Sequence, residues 1–352
     1  MGSKNIKEIV TIVTTIFVFT AVIVPFIKDM AMHIGAVDRP NKRKVHTGLM
    51  PRLGGLAIFF GFLLGYMLFS KQSIQMNSIL IGSFIIVLTG VIDDIKPLKP
   101  STKFVGQLFA ALVVAVYGGI TLSKISSSYL SVNFGLLTYP ITLFFILGIV
   151  NAINFIDGLD GLATGISSIF FLTVGIIAII LNNTNGLDVT LSFIMLGATL
   201  GFLVHNFYPA KIFLGDTGSM FLGFIIAVIA LLGFKNVTLT SFIIPILILG
   251  VPLLDTLFAI LRRFIKGEPI SKPDKEHLHH QFLKLNFSHR STVLLIYLIN
   301  SLFAVASILY ILKDKVLGKI IYIIILIIWL VIVIMTDIIS DKRKIRDKIN
   351  HK

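Results

Sequence analysis

The chain has 352 residues, of which 56% are hydrophobic and only 14% are charged, and its mean hydropathy is +0.95. This balance excludes a soluble globular protein and indicates a polytopic membrane protein. The absence of cysteine excludes disulfides and thiolate metal sites. The net charge of +14 is better explained by basic loops beside anionic lipid than by nucleic-acid binding, so no nucleic-acid partner is expected.

Eleven apolar runs are each long enough to cross a hydrocarbon core of ~30 Å. They lie near residues 6–27, 53–70, 77–95, 104–121, 138–156, 163–182, 189–205, 217–234, 239–262, 293–313 and 319–338. We therefore predict an all-α, polytopic integral membrane protein with about eleven transmembrane helices, which form a single domain over residues 1–352.

The basic residues predict the orientation of these helices. One set of alternate loops holds 23 of the 31 Lys and Arg residues. Because Lys and Arg collect on the cytoplasmic side, the N-terminus is predicted outside and the C-terminus in the cytoplasm. The polar loops that carry motifs then all lie at the cytoplasmic face of the plasma membrane, near residues 35–52, 93–103, 154–163, 205–218 and 262–292.

Two carboxylates end the third apolar run, in GVIDDIKPLKPSTKF. Adjacent helical residues point ~100° apart, so Asp93 and Asp94 cannot face the same way. One can face a metal or a nucleophile while the other orients a neighbouring residue. The alternative is an acidic pair that forms salt bridges with Lys96 or Lys103, but acidic groups at a helix C-terminus oppose the helix dipole.

Polar residues also recur every three positions in NAINFIDGLDGLATG, where Asn154, Asp157 and Asp160 lie on nearly the same side of a helix end. Side-chain oxygens beside a glycine-rich turn indicate a cradle for Mg²⁺ and a diphosphate. In HNFYPAKIFLGDTGS, Asp216 could simply cap the next helix. Its neighbours Asn206 and Phe213 favour a nucleotide site instead, since an aromatic ring can stack on a base.

Basic and histidine-rich loops supply further candidates. Arg52 follows Pro51 and precedes Gly54-Gly55; it is either part of a solvated basic loop or a contact to phosphate or sugar. The longest loop holds Arg262, Arg263 and the run HLHH, with histidines 277, 279 and 280. Histidines at this spacing do not converge easily on zinc, so hydrogen bonds from His277, His279 and His280 to phosphate or sugar are the better interpretation.

These motifs, in this order, resemble those of the polyprenyl-phosphate N-acetylhexosamine-1-phosphate transferases. The resemblance spans about residues 35–292 and includes PRxGG, the Asp pair, NxxNFxDGxDG, FxGDxGS and HxHH. It implies an integral membrane enzyme that depends on Mg²⁺, which Mn²⁺ can replace, and that moves a sugar-1-phosphate from a UDP-sugar to a lipid phosphate.

The resemblance also implies roles for individual residues. The catalytic group comprises Asp93, Asp94, Lys103, Asp157 and Asp160. The metal group comprises Asp216 and Asn154. The substrate-binding group comprises Arg52, Asn206, Phe213, Arg262, Arg263, His277, His279 and His280.

The motif variants further resemble the N-acetylglucosamine branch of this family. The sequence has PRLGG and HLHH, whereas the muramoyl-pentapeptide branch carries PTMGG and three consecutive histidines. The implied partners are UDP-N-acetylglucosamine, undecaprenyl phosphate and membrane lipid. Whether the enzyme forms a homodimer is left open. The Ile- and Lys-rich composition favours a low-GC Gram-positive bacterium, where such an enzyme starts the wall teichoic acid linkage unit. The alternatives are another UDP-N-acetylhexosamine or UDP-muramoyl-pentapeptide as donor and, more remotely, a cation-coupled transporter.

Overall fold

A computed structural model describes residues 6–38, 48–126, 131–181, 184–233, 248–267 and 277–312, with short pieces at 316–317, 320–325 and 327–328. The described helices are α1 (Ile6–Ile34), α2 (Gly54–Phe69), α3 (Ile74–Ile95), α4 (Pro100–Leu112), α5 (Thr138–Ile156), α6 (Leu162–Ile180), α7 (Leu187–Asn206), α8 (Gly215–Gly233), α9 (Gly250–Lys266), α10 (Leu278–Lys284) and α11 (His289–Ile311). A π-helical turn (Val113–Tyr117) extends α4, and a 3-10 turn (Gly135–Leu137) precedes α5.

Two short antiparallel ribbons complete the described structure. Strand β1 (Val37–Asp38) pairs with β2 (Met50–Pro51), and β3 (Lys124–Ser126) pairs with β4 (Ser131–Asn133). The first ribbon matters for the site, because it directs the chain from the end of α1 into Arg52 and the start of α2.

Local sequence signals explain where several helices begin. The hydroxyl of Ser73 accepts the N–H of Met76 at 3.0 Å and caps α3. Ser288 caps α11 in the same way through the N–H of Ser291, at 3.1 Å. Pro100 occupies the first turn of α4, where its missing N–H costs no helical hydrogen bond.

Within the described residues, eight helices are long and apolar enough to cross a membrane, and α2 is a shorter apolar helix of 16 residues. The prediction of an all-α polytopic membrane protein is confirmed. The predicted run at 138–156 coincides with α5, whereas α1 continues to Ile34, seven residues beyond its predicted end. The short helix α10 was not predicted. Parts of the ninth and eleventh predicted runs lie outside the described residues, so the count of eleven helices and the orientation stay predictions.

The chain divides into two compact units, Met1–Ile246 and Leu247–Lys352. The prediction that residues 1–352 form a single transferase domain stays a prediction. In the first unit, α8 is the central helix: it packs against α2, α3, α5, α6 and α7, and every side chain from Thr217 to Leu231 is buried. A helix that is apolar on all sides is expected in such a position.

Glycines allow two helices to approach the beginning of α8 closely. A side chain at Gly55 of α2 would overlap the backbone of Gly218, and one at Gly90 of α3 would overlap the backbone of Thr217. Small residues of this kind let helix backbones come together in membranes. Both contacts lie within one turn of Asp216, so they draw the ends of α2 and α3 to the acidic motif of α8.

In the second unit, α11 packs against both α9 and α10. The buried side of α9 carries Val251, Asp255 and Ala259 at intervals of four residues, followed by Arg262 and Arg263. This unit therefore buries three charged side chains on one described helix.

Candidate active site

Asp93 and Asp94 face different partners, as adjacent residues on a helix must. One oxygen of Asp93 accepts the N–H of Leu98 at 2.8 Å, just beyond the end of α3. Its other oxygen lies 3.0 Å from the ammonium group of Lys103 on α4. Asp93 thus holds the α3–α4 connection and engages a cation.

Asp94 is directed at the first turn of α8, and its carboxylate is fully buried. It accepts the N–H groups of Asp216 and Thr217, each at 3.0 Å, and the hydroxyl of Thr217 at 2.7 Å. These are two of the amides that a helix N-terminus leaves unpaired, so Asp94 caps α8 from another helix. The guanidinium of Arg52, 3.5 Å away, balances its charge.

Asp216 opens α8 beside these groups. One of its oxygens accepts a hydrogen bond from Lys103, which therefore bridges Asp93 and Asp216. Its other oxygen accepts the amide N–H of Asn154 at 3.2 Å, and the same amide group donates to the hydroxyl of Ser219 at 2.8 Å. The last turn of α5 is thus tied to the first turn of α8.

Asp93, Asp94 and Asp216 form a group suited to a divalent cation. Each can offer an oxygen within 4.8 Å of the others, and no other trio of His, Asp or Glu among the described residues does so. Three carboxylates face two cations, Arg52 and Lys103, so the cluster carries excess negative charge. Carboxylate oxygens and residual negative charge are what Mg²⁺ requires, and the site fits this ion.

The charge of Arg52 is secured by its surroundings. Burial acts to lower the pKa of its guanidinium, but Asp94, Asp216 and Asp38 outweigh this effect and raise the pKa above its ordinary value. Arg52 also lies 3.8 Å from Asp38 in strand β1. It therefore links the β1–β2 ribbon to the carboxylate that caps α8.

Backbone hydrogen bonds join two of the predicted motifs. The N–H groups of Gly54 and Gly55 donate to the carbonyls of Phe213 and Leu214, at 3.0 and 2.9 Å, and the N–H of Phe213 donates to Pro51 at 2.8 Å. PRLGG and FLGD thus pair along their backbones, and the half-buried Phe213 lies beside the acidic cluster.

The residues that follow α5 have different partners. Asp157 ends this helix, and burial raises the pKa of its carboxyl to about 8, with the negative charge of Asp216 adding to the shift. These surroundings therefore favour the protonated form of Asp157 more than solvent would. Asp160 accepts the N–H of Ala210 at 3.0 Å and so anchors the loop between α7 and α8.

Asn206 holds the same loop from the end of α7. Its side-chain oxygen accepts the hydroxyl of Thr164 at 2.9 Å, and its amide group donates to the carbonyl of Ile212 at 3.0 Å. Asn206 is buried, and both ends of its side chain bind protein groups. A contact between Asn206 and a bound nucleotide stays a prediction.

In the second unit, His277, His279 and His280 lie at the beginning of α10. The ring of His277 is parallel to that of His279, with centroids 5.9 Å apart, and the rings of His279 and His280 are 4.2 Å apart. Burial lowers the pKa of His279 well below its ordinary range, and the nearby His280, His277 and His289 add to the shift. Arg262 and Arg263 are buried on α9.

The structure thus brings six predicted residues of the first unit into one cluster: Arg52, Asp93, Asp94, Lys103, Asn154 and Asp216. Sequence reasoning missed Thr217 and Ser219, which bind this cluster, and Gln107, which lies one turn after Lys103 and accepts the amide of Asn151 at 3.0 Å. It also missed Asp255 in α9. The signal for Asp255 was present, since a carboxylate inside an apolar run is costly and calls for a partner.

Fold and site together define a polytopic membrane protein with a buried acidic centre, and comparison with known proteins identifies its family. The profile of Glycosyl transferase family 4 matches residues 76–234. That segment contains the whole acidic cluster except Arg52.

Curated relatives extend the match to nearly the whole chain. The "Probable undecaprenyl-phosphate N-acetylglucosaminyl 1-phosphate transferase" of Bacillus subtilis (strain 168) is 43% identical over 98% of this chain and 96% of its own length. The "Decaprenyl-phosphate N-acetylglucosaminephosphotransferase" of Mycolicibacterium smegmatis is 35% identical over 83% of this chain and 80% of its own.

A more distant relative is the "Undecaprenyl-phosphate alpha-N-acetylglucosaminyl 1-phosphate transferase" of Escherichia coli (strain K12). It is 29% identical over 87% of this chain and 84% of its own length. This chain therefore belongs to glycosyl transferase family 4, and the predictions of family membership and of a membrane transferase are confirmed.

Proposed function

We propose that the protein transfers N-acetylglucosamine-1-phosphate from UDP-N-acetylglucosamine to undecaprenyl phosphate and releases UMP. The names of the relatives support N-acetylglucosamine-1-phosphate as the transferred group and undecaprenyl phosphate as the acceptor. The observation that carries the proposal is the cluster of Asp93, Asp94 and Asp216, in which Lys103 bridges Asp93 and Asp216. The family assignment favours this reaction over the remote alternative of a transporter.

The reaction is a displacement at phosphorus. An oxygen of the lipid phosphate forms a bond to the β-phosphorus of the donor, and the bond from that phosphorus to the bridging oxygen breaks. UMP leaves with the bridging oxygen, and the product is a lipid diphosphate that carries the sugar. A lipid phosphate is already ionised at pH 7, so the protein needs to orient it more than to deprotonate it.

A divalent cation fits the acidic cluster, and we propose Mg²⁺ with Mn²⁺ as a substitute. Asp216 would hold it together with Asp93 and Asn154. When bound, the ion would neutralise charge on the diphosphate. Asp94 has a different task, because its oxygens accept the amides of the first turn of α8 and so fix the position of Asp216.

Lys103 and Asp93 would also act on the substrates directly. The ammonium group of Lys103 lies between Asp93 and Asp216, and it would contact a phosphate oxygen. Of the two adjacent carboxylates Asp93 and Asp94, Asp93 would accept a residual proton from the lipid phosphate and orient the nucleophile. A two-step route through a covalent phospho-aspartate is the alternative to direct attack.

The acidic cluster would act at the cytoplasmic face of the plasma membrane, where the nucleotide donor is present and where the positive-inside rule places these loops. Histidines of the second unit, together with Arg262 and Arg263, would bind the sugar nucleotide. The product would serve as the first intermediate of wall teichoic acid or a related envelope glycan in a Gram-positive bacterium.

The test is purified enzyme with a C55 lipid phosphate and a panel of UDP-sugars, with UMP release as the measurement. We expect turnover of UDP-N-acetylglucosamine and none of UDP-muramoyl-pentapeptide. Asp216→Asn keeps the shape of the side chain but removes its charge, and should lower turnover at least ~100-fold, as a loss of ~3 kcal/mol of transition-state stabilisation implies. Equal turnover of both donors would refute the donor assignment, and normal turnover by Asp216→Asn would refute the proposed metal site.

A further inference from the structure

Asp255 is a buried carboxylate in the middle of α9, and the proposed mechanism does not use it. It is 2% exposed and shares the buried side of the helix with Val251 and Ala259. A carboxylate so far from water is costly unless its oxygens are hydrogen-bonded. The hydrogen-bond partners of its two oxygens therefore indicate what Asp255 does.

Both oxygens of Asp255 bind the same short segment. One lies 2.8 Å from Nδ1 of His277, and the other accepts the backbone N–H of Leu278 at 2.8 Å. Leu278 begins α10, and the residue before it, His277, provides no side-chain cap of its own. Asp255 thus caps α10 from α9. It also binds the imidazole of His277, which occupies the N-cap position of α10.

This double attachment restricts the orientation of His277. The backbone bond fixes where the segment enters α10, and the side-chain bond fixes the direction of the ring. The parallel ring of His279, 5.9 Å away, limits rotation of His277 on another side. His277 is 6% exposed, so little of its ring is left to solvent.

The carboxylate also determines where the ring carries its proton. An ionised carboxylate only accepts hydrogen bonds, so Nδ1 of His277 must be the donor. This holds for both the neutral and the cationic ring. Nε2 is then the nitrogen that can interact with any other group. A carboxylate behind a metal-bound or catalytic histidine fixes the position of the ring proton in the same way.

We propose that Asp255 is a positioning residue that orients His277 and holds a proton on its Nδ1, so that Nε2 is the nitrogen that acts on the sugar nucleotide. This inference rests on the proposed function, which places His277 at that substrate. Asp255 itself does not touch the substrate; it acts through His277.

The variant Asp255→Asn separates the two tasks of this side chain. Its amide oxygen still accepts the N–H of Leu278, so the cap of α10 is kept. Its NH₂ group now faces Nδ1 and can only donate, which drives the ring proton to Nε2. We expect kcat/KM for UDP-N-acetylglucosamine to fall about 10- to 100-fold, as outer-shell changes behind a histidine commonly do, with the melting temperature in detergent close to that of the wild type.

Two measurements distinguish positioning from a structural role. The first is the ¹⁵N spectrum of protein labelled at histidine, in which the signals of His277 are assigned by their loss in His277→Ala. Nδ1 should carry the proton in the wild type, and Nε2 should carry it in Asp255→Asn. The matched control is Asp29→Asn, the same change at an exposed carboxylate of α1, which should leave both spectrum and turnover unchanged.

The second measurement is a double-mutant cycle. If Asp255 acts through His277, the variant with both His277→Ala and Asp255→Asn should be no slower than His277→Ala alone. Multiplied losses in the double variant, an Nε2–H tautomer in the active wild type, or normal turnover by His277→Ala would each overturn the role of Asp255. Absence of UMP release by the wild type would instead overturn the proposed function, and the ¹⁵N spectrum would still report how Asp255 and His277 are coupled.

Discussion

The two adjacent carboxylates at the end of α3 should respond differently to the same substitution. Asp94 is fully buried and accepts two backbone amides and one hydroxyl of α8, whereas Asp93 binds one backbone amide and the partly exposed Lys103. Asp94→Asn and Asp93→Asn are therefore a matched pair. Each removes one negative charge from the last three residues of α3.

The cost of Asp94→Asn follows from its hydrogen bonds. Asparagine offers one acceptor oxygen in place of two, so an amide NH₂ must face either the N–H of Asp216 or that of Thr217. The hydroxyl of Thr217 can rotate away, but a backbone N–H cannot. One buried donor without a partner costs about 1–3 kcal/mol. For a folding unit of this size, a loss of about 2 kcal/mol lowers the melting temperature by about 4–8 °C.

Asp93→Asn should be far milder. Its remaining oxygen can still accept the N–H of Leu98, and Lys103 can turn toward Asp216 or water. We expect a change in melting temperature below about 2 °C, and turnover should fall in both variants. The assay is thermal unfolding of purified protein in detergent without a divalent cation, beside UMP release at a fixed temperature. Equal melting temperatures for the two variants would refute the assignment of Asp94 to the cap of α8.

Three further predictions address charge and topology. Lys103→Gln removes the cation that bridges two proposed metal-binding carboxylates, so Mn²⁺ should bind more tightly while turnover falls; a spectroscopic Mn²⁺ titration beside the activity assay would test this. Lys71 and Lys99 are exposed and lie on either side of α3 in the sequence. A cysteine introduced at Lys71 should react with an impermeant maleimide in intact cells, and one at Lys99 should react only after lysis. The reverse pattern would contradict the predicted orientation. The pKa of Asp157 is raised from 3.8 to about 8 in the folded protein, so its stabilising effect is complete below about pH 4 and is lost as the pH rises through about 8. With a chelator present, the melting temperature of the wild type should therefore decline more between about pH 5 and pH 9 than that of Asp157→Asn.

Much of the fold could be predicted from apolar runs alone. The bounds of α5 were predicted to the residue, and α8 begins two residues before its predicted run. Runs of spanning length have few alternatives in a membrane, because every backbone group must be satisfied inside the segment. The seven-residue α10 escaped prediction because it is too short to show a helical period, and it depends on a cap from α9.

The composition of the site could also be predicted, but the tasks of its residues could not. Spacing alone shows that Asp93 and Asp94 must diverge, yet it does not say which one meets α8. That outcome depends on Gly90, whose missing side chain admits the backbone of Thr217, and on a partner 123 residues away in sequence. The partnership of Asp255 with His277 was hidden for the same reason, since the two residues lie 22 positions apart in sequence.

The arrangement at α8 explains how an apolar bundle can hold three carboxylates close together. Asp94 is stabilised by helix amides and Arg52, and Asp93 and Asp216 share the cation of Lys103. The shared cation of Lys103 can be displaced without exposing an unpaired backbone group, whereas Asp94 cannot. The cluster therefore has a fixed part, which positions α8, and an exchangeable part, where a metal ion or a phosphate can take the place of protein contacts. Because both parts meet at Asp216, a change to the fixed part should also alter binding at the exchangeable one.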